Sequence, residues 1–336
     1  MIDNPELFRG NIIMSRVRLA RNLNGLPFKI NDKKLANEVV KKVNQSLVKS
    51  GTFNLYYMSN LDEITKASMV EKHLISKALK DNDQTGAVLI SQDKSISIMV
   101  HEEDVLRQQC FMKGLRLMEA YKKLDRIDDE ISKNLDFAFS ERLGYLTACP
   151  TNLGTGLRAS VMMFLPALTE SGRIAELAES LSDLGLTVRG LYGEGSSAEG
   201  AIYQISNEVT LGVSEYDVIK RVEKAVLEIC DLERKESTAL YKGKELRVMD
   251  RAKRAFGILT NAVLLDYKEF LGYIAGVKLG AMLGMIPITD IEEIDDLIIS
   301  VRPAVISEQY GKRLSAIDRD LYRAEVVANK LLKIKE

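Results

Sequence analysis

From about Tyr216 to the C-terminus the chain carries apolar residues at helical spacing only, whereas the stretch from Gly86 to Gly212 is dominated by short strand-like runs closed by turn formers. That shift restricts the fold. Strands joined by short turns pair antiparallel, because parallel neighbours need long crossover connections. GAVLIS (Gly86–Ser91) and ISIMV (Ile96–Val100) flank the polar turn QDKS and predict a hairpin. RASVMMFLPAL (from Arg158), TVRGLYG (from Thr187) and AIYQISNEVTLG (from Ala201) read as further strands, with a helix over Arg173–Leu184 between the first two. Leu35, Val39, Val40, Val43 and Leu47 predict an amphipathic helix within Asn31–Ser50, and a second helix is expected near Glu103–Lys123. In the helical part, Thr289 and Glu292 suggest a capping box opening a helix whose Ile291, Ile294, Leu297 and Ile298 form one face. The expected fold class is α+β: a largely antiparallel sheet flanked by helices over residues 1–236, then an all-helical C-terminal domain over residues 237–336.

Length and charge narrow the function classes. With 336 residues and 46% apolar content the chain can bury the cores of roughly two domains. A net charge of -1 supplies no global basic field for nucleic acid or an anionic membrane. Cys110, Cys149 and Cys230 show no CxxC spacing, which argues against a disulfide framework or a zinc site. No apolar run reaches the ~18 residues of a membrane span, and the start lacks a signal-peptide pattern, so a cytoplasmic protein is expected.

Three groups of residues carry chemistry. In CPTNLGTGLRAS (Cys149–Ser160), Pro150, Asn152, Gly154 and Gly156 are turn formers that set a thiol beside exposed backbone N–H groups, an arrangement suited to a charged ligand. No Lys follows the glycines, so this is no Walker A loop. Alone, the segment reads first as a structural turn beside a buried thiol. Arg16 and Arg18 alternate around Val17, and a strand aims both at one face. Arg107 follows the acidic trio Glu102, Glu103 and Asp104, while Arg158 and Arg189 lie in strand-like runs. An arginine among apolar strand positions is costly to bury without an anion, and its planar fork matches phosphate oxygens; an ion pair or a snorkelling stem is the plain alternative. The trio also suits the first turn of the helix expected at Glu103. Glu194 lies between two glycines, where a strand end presents functional groups.

In this order, SRVRLARN (Ser15–Asn22), HEED (His101–Asp104) with Arg107, CPTNLGTGLRAS and RGLYGEG (Arg189–Gly195) resemble the motifs of the phosphagen (guanidino) kinases, over roughly residues 12–235. Within that family the chain is similar to the bacterial protein-arginine kinases, since RASVMMFLPAL, RGLYGEG and AIYQISNEVTLG are close to that branch. The first arginine motif also begins at Ser15, without the longer helical segment that encloses a free guanidino substrate, so an acceptor site open to a protein is expected. RDLYRA (Arg319–Ala324) resembles the motif through which these kinases bind phosphoarginine outside the active site. Arg319 and Arg323, four residues apart, share a helix face, and their like charges call for an anion, Asp320 or solvent between them.

The resemblance implies a phosphagen kinase catalytic domain that takes its phosphoryl group from ATP, with Mg2+ held by the nucleotide phosphates and no metal ligands of its own. Glu103 and Glu194 would orient the guanidinium and accept its proton, and Cys149 would lie against it as a thiolate or partial thiolate. The nucleotide site carried over comprises Ser15, Arg16, Val17, Arg18, Arg107, Arg158, Ala159, Ser160, Val161, Met162, Arg189, Gly190, Leu191, Tyr192 and Gly193. His73 matches the histidine beside the adenine, and Arg319, Asp320 and Arg323 would form an allosteric phosphoarginine site. Two departures stand out: the acidic motif usually reads NEEDH, with His101 and Val105 here replacing its Asn and His, and GEGSSAEG differs from the commoner GEGSEALG. Implied partners are arginine-bearing protein substrates such as a CtsR-type heat-shock repressor, a ClpC-type unfoldase with ClpP, a zinc-finger activator protein, and a second copy of the chain. A small-molecule guanidino kinase and a non-catalytic phosphoarginine reader remain as other readings.

Overall fold

The structure, a computed structural model, describes residues 10–190, 199–288 and 290–335. Leu191, Tyr192, Gly193, Glu194 and Thr289 lie outside the described residues. The chain opens with β1 (Ile12–Arg21), in which Ser15, Val17 and Leu19 are buried while Arg16 and Arg18 face the other side. α1 (Lys33–Ser46) starts where Asp32 accepts hydrogen bonds from the backbone of Lys34 and Leu35, and it sinks Ala36, Val39, Val40 and Val43. Each such valine contributes about 1.5–3 kcal/mol by leaving water. Next come β2 (Phe53–Tyr57), α2 (Glu63–Glu71), α3 (Lys77–Lys80), β3 (Ala87–Ser91), β4 (Ile96–Val100), β5 (Leu106–Lys113) and α4 (Leu117–Ser132). They lead into β6 (Phe139–Ser140), β7 (Gly144–Tyr145), β8 (Leu157–Phe164), α5 (Pro166–Glu170), α6 (Ile174–Ser182), β9 (Leu186–Gly190) and β10 (Ile202–Asn207).

Eight of these strands form one sheet in the order β2-β3-β4-β5-β1-β8-β10-β9, and β6 and β7 form a separate hairpin. The pairings β2–β3, β3–β4, β4–β5 and β5–β1 are antiparallel, as the short connections require. The remainder is helical: α7 (Glu215–Tyr241), α8 (Glu245–Asn261), α9 (Tyr267–Met282), α10 (Ile291–Ser300), α11 (Pro303–Gln309) and α12 (Ala316–Ile334). No helix among the described residues is long and apolar enough to cross a membrane.

Two local expectations are corrected. The helix expected near Glu103–Lys123 is strand β5 followed, after a turn, by α4. LRQQCFMK lies between β4 and β1, where Gln108 and Gln109 are buried and hydrogen-bonded. The acidic trio therefore occupies the β4–β5 turn and not a helix N-terminus. The capping residue of α10 is Asp290, whose carboxylate accepts from the backbone of Glu292 and Glu293.

By packing, the chain divides into two compact units. One comprises Met14–Val161 and Ser206–Glu223. Part of its core is the cluster of Met58, Met69, Leu74, Ile75, Leu79, Val88, Ile90 and Met99, under α2 and α3. The other comprises Met162–Ile205, Lys224–Glu336 and the described residues of Met1–Ile13, so the helical segment expected over residues 237–336 packs with β-strand residues of the same unit. Phe164, Ile202, Tyr241, Leu259, Phe270 and Ile306 are buried in one cluster there. Gly280 lets α9 approach α8, since a Cβ at that position would stand 2.6 Å from the Ala252 methyl carbon.

Candidate functional site

The first compact unit gathers four of the expected arginines. Burial and the charges of Arg107 and Arg158 lower the Arg16 guanidinium to about 9. Arg18 is also lowered, by burial first and then by Arg16, Arg107 and Arg158. Arginines that depress one another are destabilising unless a polyanion joins them. The Arg18 Nε is buried without a hydrogen-bond partner. Arg16 reaches Ser160 Oγ at 3.4 Å, and Arg158 donates to Ser206 Oγ at 3.1 Å. Period-2 alternation on β1 and the opening of β8 produce this convergence.

The β4–β5 turn separates its carboxylates by environment. Burial pushes Glu102 up, but the Arg107 guanidinium, 2.7 Å away, and the Ser76 hydroxyl outweigh it and leave Glu102 below the usual range. Glu103 is exposed and forms no ion pair among the described residues, and burial together with Asp104 and Glu102 raises it. A raised carboxylate is the better proton acceptor. His101 sits at φ +62°, a conformation tolerated by Asn and His above most residues, so replacement of the family's Asn keeps this turn. Its Nε2 is 3.1 Å from Ala36 O, and burial lowers its pKa. Val105 is buried, with its backbone N–H donating to Asn22 Oδ1 at 2.8 Å.

Asn22 and Asp104 were not among the expected site residues, yet they tie the motifs together. Asn22 Nδ2 donates to Asp104 Oδ1 at 2.6 Å and to Leu146 O at 3.0 Å. The same Asp104 oxygen accepts from the backbone N–H of Ala148 at 2.7 Å. One buried pair thus joins the end of the arginine strand, the acidic turn and the residue before Cys149. Asn22 closes SRVRLARN and Asp104 closes HEED, so both were visible as motif termini, but their partners were not.

Cys149 is half-buried, with Sγ 3.0 Å from Thr151 Oγ1. The Thr210 hydroxyl lies 3.1 Å from Thr151 O and 2.8 Å from Leu153 O and pins the turn after the thiol. Gly154, at φ +109°, passes so close that a Cβ there would stand 2.3 Å from Thr210 O. Buried Arg21 bonds to Asp128, donates to Thr155 O at 3.0 Å and stacks 3.5 Å from the Tyr145 ring centroid, bracing the far end of the loop.

The other expected residues are placed as follows. Ser15 is buried, its hydroxyl donating to Gly114 O at 2.7 Å and accepting from Arg116 N at 2.9 Å. Val17, Ala159 and Val161 are buried strand positions, and His73, at φ +60°, accepts at its backbone oxygen from Gln109. Met162, Arg189 and Gly190 belong to the second compact unit. In α12, Arg323 is buried: Nε donates to Val301 O at 2.9 Å, and Nη1 donates to Leu265 O at 2.7 Å and Asp320 Oδ1 at 2.6 Å. Arg319 Nη1 donates to Leu314 O at 3.0 Å. Asp320 therefore supplies a counter-charge to Arg323. Among the described residues no three His, Cys, Asp or Glu side chains converge to hold a metal ion.

The family model described as ATP:guanido phosphotransferase, C-terminal catalytic domain, matches residues 34–236, and that of the protein-arginine kinase McsB C-terminal domain matches residues 245–336. A protein-arginine kinase of Caldanaerobacter subterraneus subsp. tengcongensis is 43% identical over 328 residues, covering 96% of this chain and 97% of its own. One from Clostridium acetobutylicum is 42% identical over 326 residues, covering 95% and 96%. Among solved structures, the duplicated taurocyamine kinase of Schistosoma mansoni with bound transition-state analogue components has a TM-score of 0.61 at 29% identity. That match covers 71% of this chain and 35% of the duplicated one. A lombricine kinase, at TM-score 0.60 and 24% identity over 67% of each chain, shares the fold. The chain belongs to the ATP:guanido phosphotransferase family, among its protein-arginine kinases.

Proposed function

We propose that the protein transfers the γ-phosphoryl group of ATP to arginine side chains of other proteins. The observation that carries this reading is the mutually repelling set Arg16, Arg18, Arg107 and Arg158, with a buried, unbonded Arg18 Nε, beside a turn that presents one raised carboxylate. The arginines would hold the triphosphate, and Mg2+ bound to it would supply further neutralisation of its charge. A guanidinium stays protonated up to ~12 and has no free lone pair, so a base must take its proton as the nitrogen attacks. Glu103 accepts that proton while the N–P bond forms and the P–O bond to ADP breaks. Cys149 borders the guanidinium, and Glu194 is assigned the second carboxylate from its motif alone.

Phosphorylated arginines would mark proteins for a ClpC-type unfoldase with ClpP or silence a heat-shock repressor, with Arg319, Asp320 and Arg323 reading phosphoarginine; these roles rest on the family resemblance. Incubation with ATP, Mg2+ and an unfolded acceptor should yield acid-labile phosphoarginine by mass spectrometry, lost in Glu103→Gln. Modification of free arginine alone would instead favour the small-molecule kinase.

A further inference from the structure

Arg158 and Arg107 differ in what holds them. Arg107 meets the Glu102 carboxylate, which takes up part of its charge. Arg158 Nη2 donates instead to the hydroxyl of Ser206, 3.1 Å away and fully buried on the neighbouring strand β10. A neutral acceptor fixes the direction of a guanidinium without cancelling its charge. That charge stays effective: Arg16 and Arg18 are lowered by burial first and, among neighbouring charges, by that of Arg158 as well.

The next residue holds the backbone on either side of Arg158. Asn207, buried at the end of β10, accepts at Oδ1 from Ala159 N at 2.8 Å and donates through Nδ2 to Leu157 O at 3.1 Å. Its amide thus engages the donor of one neighbour and the acceptor of the other, as a paired strand would. Nδ2 also donates to Val209 O at 3.2 Å, which fixes the turn leading to Thr210 and so to the loop after Cys149. All of these residues belong to the first compact unit.

We propose that Ser206 and Asn207 are positioning residues that aim the Arg158 guanidinium at the nucleotide phosphates. The inference rests on the phosphate-holding role given to Arg158 above and adds what directs it. An arginine with many rotamers loses entropy when it meets a triphosphate, whereas one already aimed has lost it during folding. A carboxylate at position 206 would hold Arg158 as firmly but would repel the phosphates, so a buried hydroxyl suits this task.

The test is a double-mutant cycle on the full chain, with Mg-ATP binding followed by calorimetry and stability by urea titration. Ser206→Ala should weaken Mg-ATP binding about tenfold, as expected for losing a hydrogen bond to a charged group. In an Arg158→Met background the same substitution should have no effect on binding, because no guanidinium is left to aim. An equal loss in both backgrounds, or no loss in the unaltered chain, overturns the proposal. Asn207→Asp keeps the shape but turns the Nδ2 donor into an acceptor facing two carbonyls; it too should weaken binding only where Arg158 is present. An equal loss in both backgrounds would assign Asn207 to the fold alone and overturn its part. Ser206→Ala removes one oxygen and decides the matter if Asn207→Asp does not fold. If Arg158→Met by itself binds Mg-ATP as the unaltered chain does, the phosphate role of Arg158 fails, and the proposal falls with it.

Discussion

Asp104→Ala should separate the positioning of the thiol loop from its chemistry. The substitution removes the single oxygen that accepts from both Asn22 Nδ2 at 2.6 Å and Ala148 N at 2.7 Å. Hydrogen bonds to a charged acceptor contribute about 1.5–3 kcal/mol each. Water can reach the exposed Ala148, and Asn22 keeps Leu146 O, so the net stability loss is about 2–4 kcal/mol. The larger effect falls on catalysis. Ala148 adjoins Cys149, and a shift of about 1 Å in a reacting group costs on the order of a hundredfold in rate. Asp104→Asn retains an acceptor oxygen and should recover most of that loss. Steady-state kinetics, thermal unfolding and the rate of Cys149 alkylation by iodoacetamide distinguish the cases. The expected pattern is a hundredfold lower kcat and an altered alkylation rate for Asp104→Ala, with KM for ATP little changed and rescue by Asp104→Asn. If Asp104→Ala loses stability but keeps kcat and alkylation within twofold, Asp104 is only structural and the argument is refuted.

Two further outcomes follow from buried charges. Arg18→Met removes a guanidinium lowered by burial and three neighbouring arginines, so the variant should be more stable by about 1–2 kcal/mol while binding ATP at least tenfold more weakly; denaturant titration and calorimetry check both. Glu233, buried in α7, accepts from the backbone of Ala167 and Leu168, and burial raises its carboxyl from 4.5 to about 7. A raised carboxyl contributes its stability fully below the unfolded value and loses it as pH rises through the folded one, so about 3 kcal/mol should disappear between pH 4.5 and about 7. Glu233→Gln should flatten the stability slope across that window in urea titrations; an unchanged slope would show that Glu233 is not its source.

Local patterning determined much of this protein. Alternation around Val17 aimed Arg16 and Arg18 at one face, the QDKS turn made a hairpin, and helical spacing after Tyr216 excluded further strands of the sheet, because these features depend on neighbours within a few residues. The four ordered motifs pointed to the family.

Tertiary structure decided what distant partners supply. LRQQCFMK falls within the helix expected near Glu103–Lys123, yet it forms β5, where its two glutamines are buried because Asp128 meets Gln108 and the carbonyls of His73 and Leu74 meet Gln109. Glu102 and Glu103, adjacent in sequence, diverge because Arg107 pairs with one and not the other. The Asn22–Asp104 pair joins residues 82 positions apart, and Asp104 reaches Ala148 another 44 along. A buried polar side chain is stable only when satisfied, and a one-dimensional pattern cannot say which remote group will satisfy it.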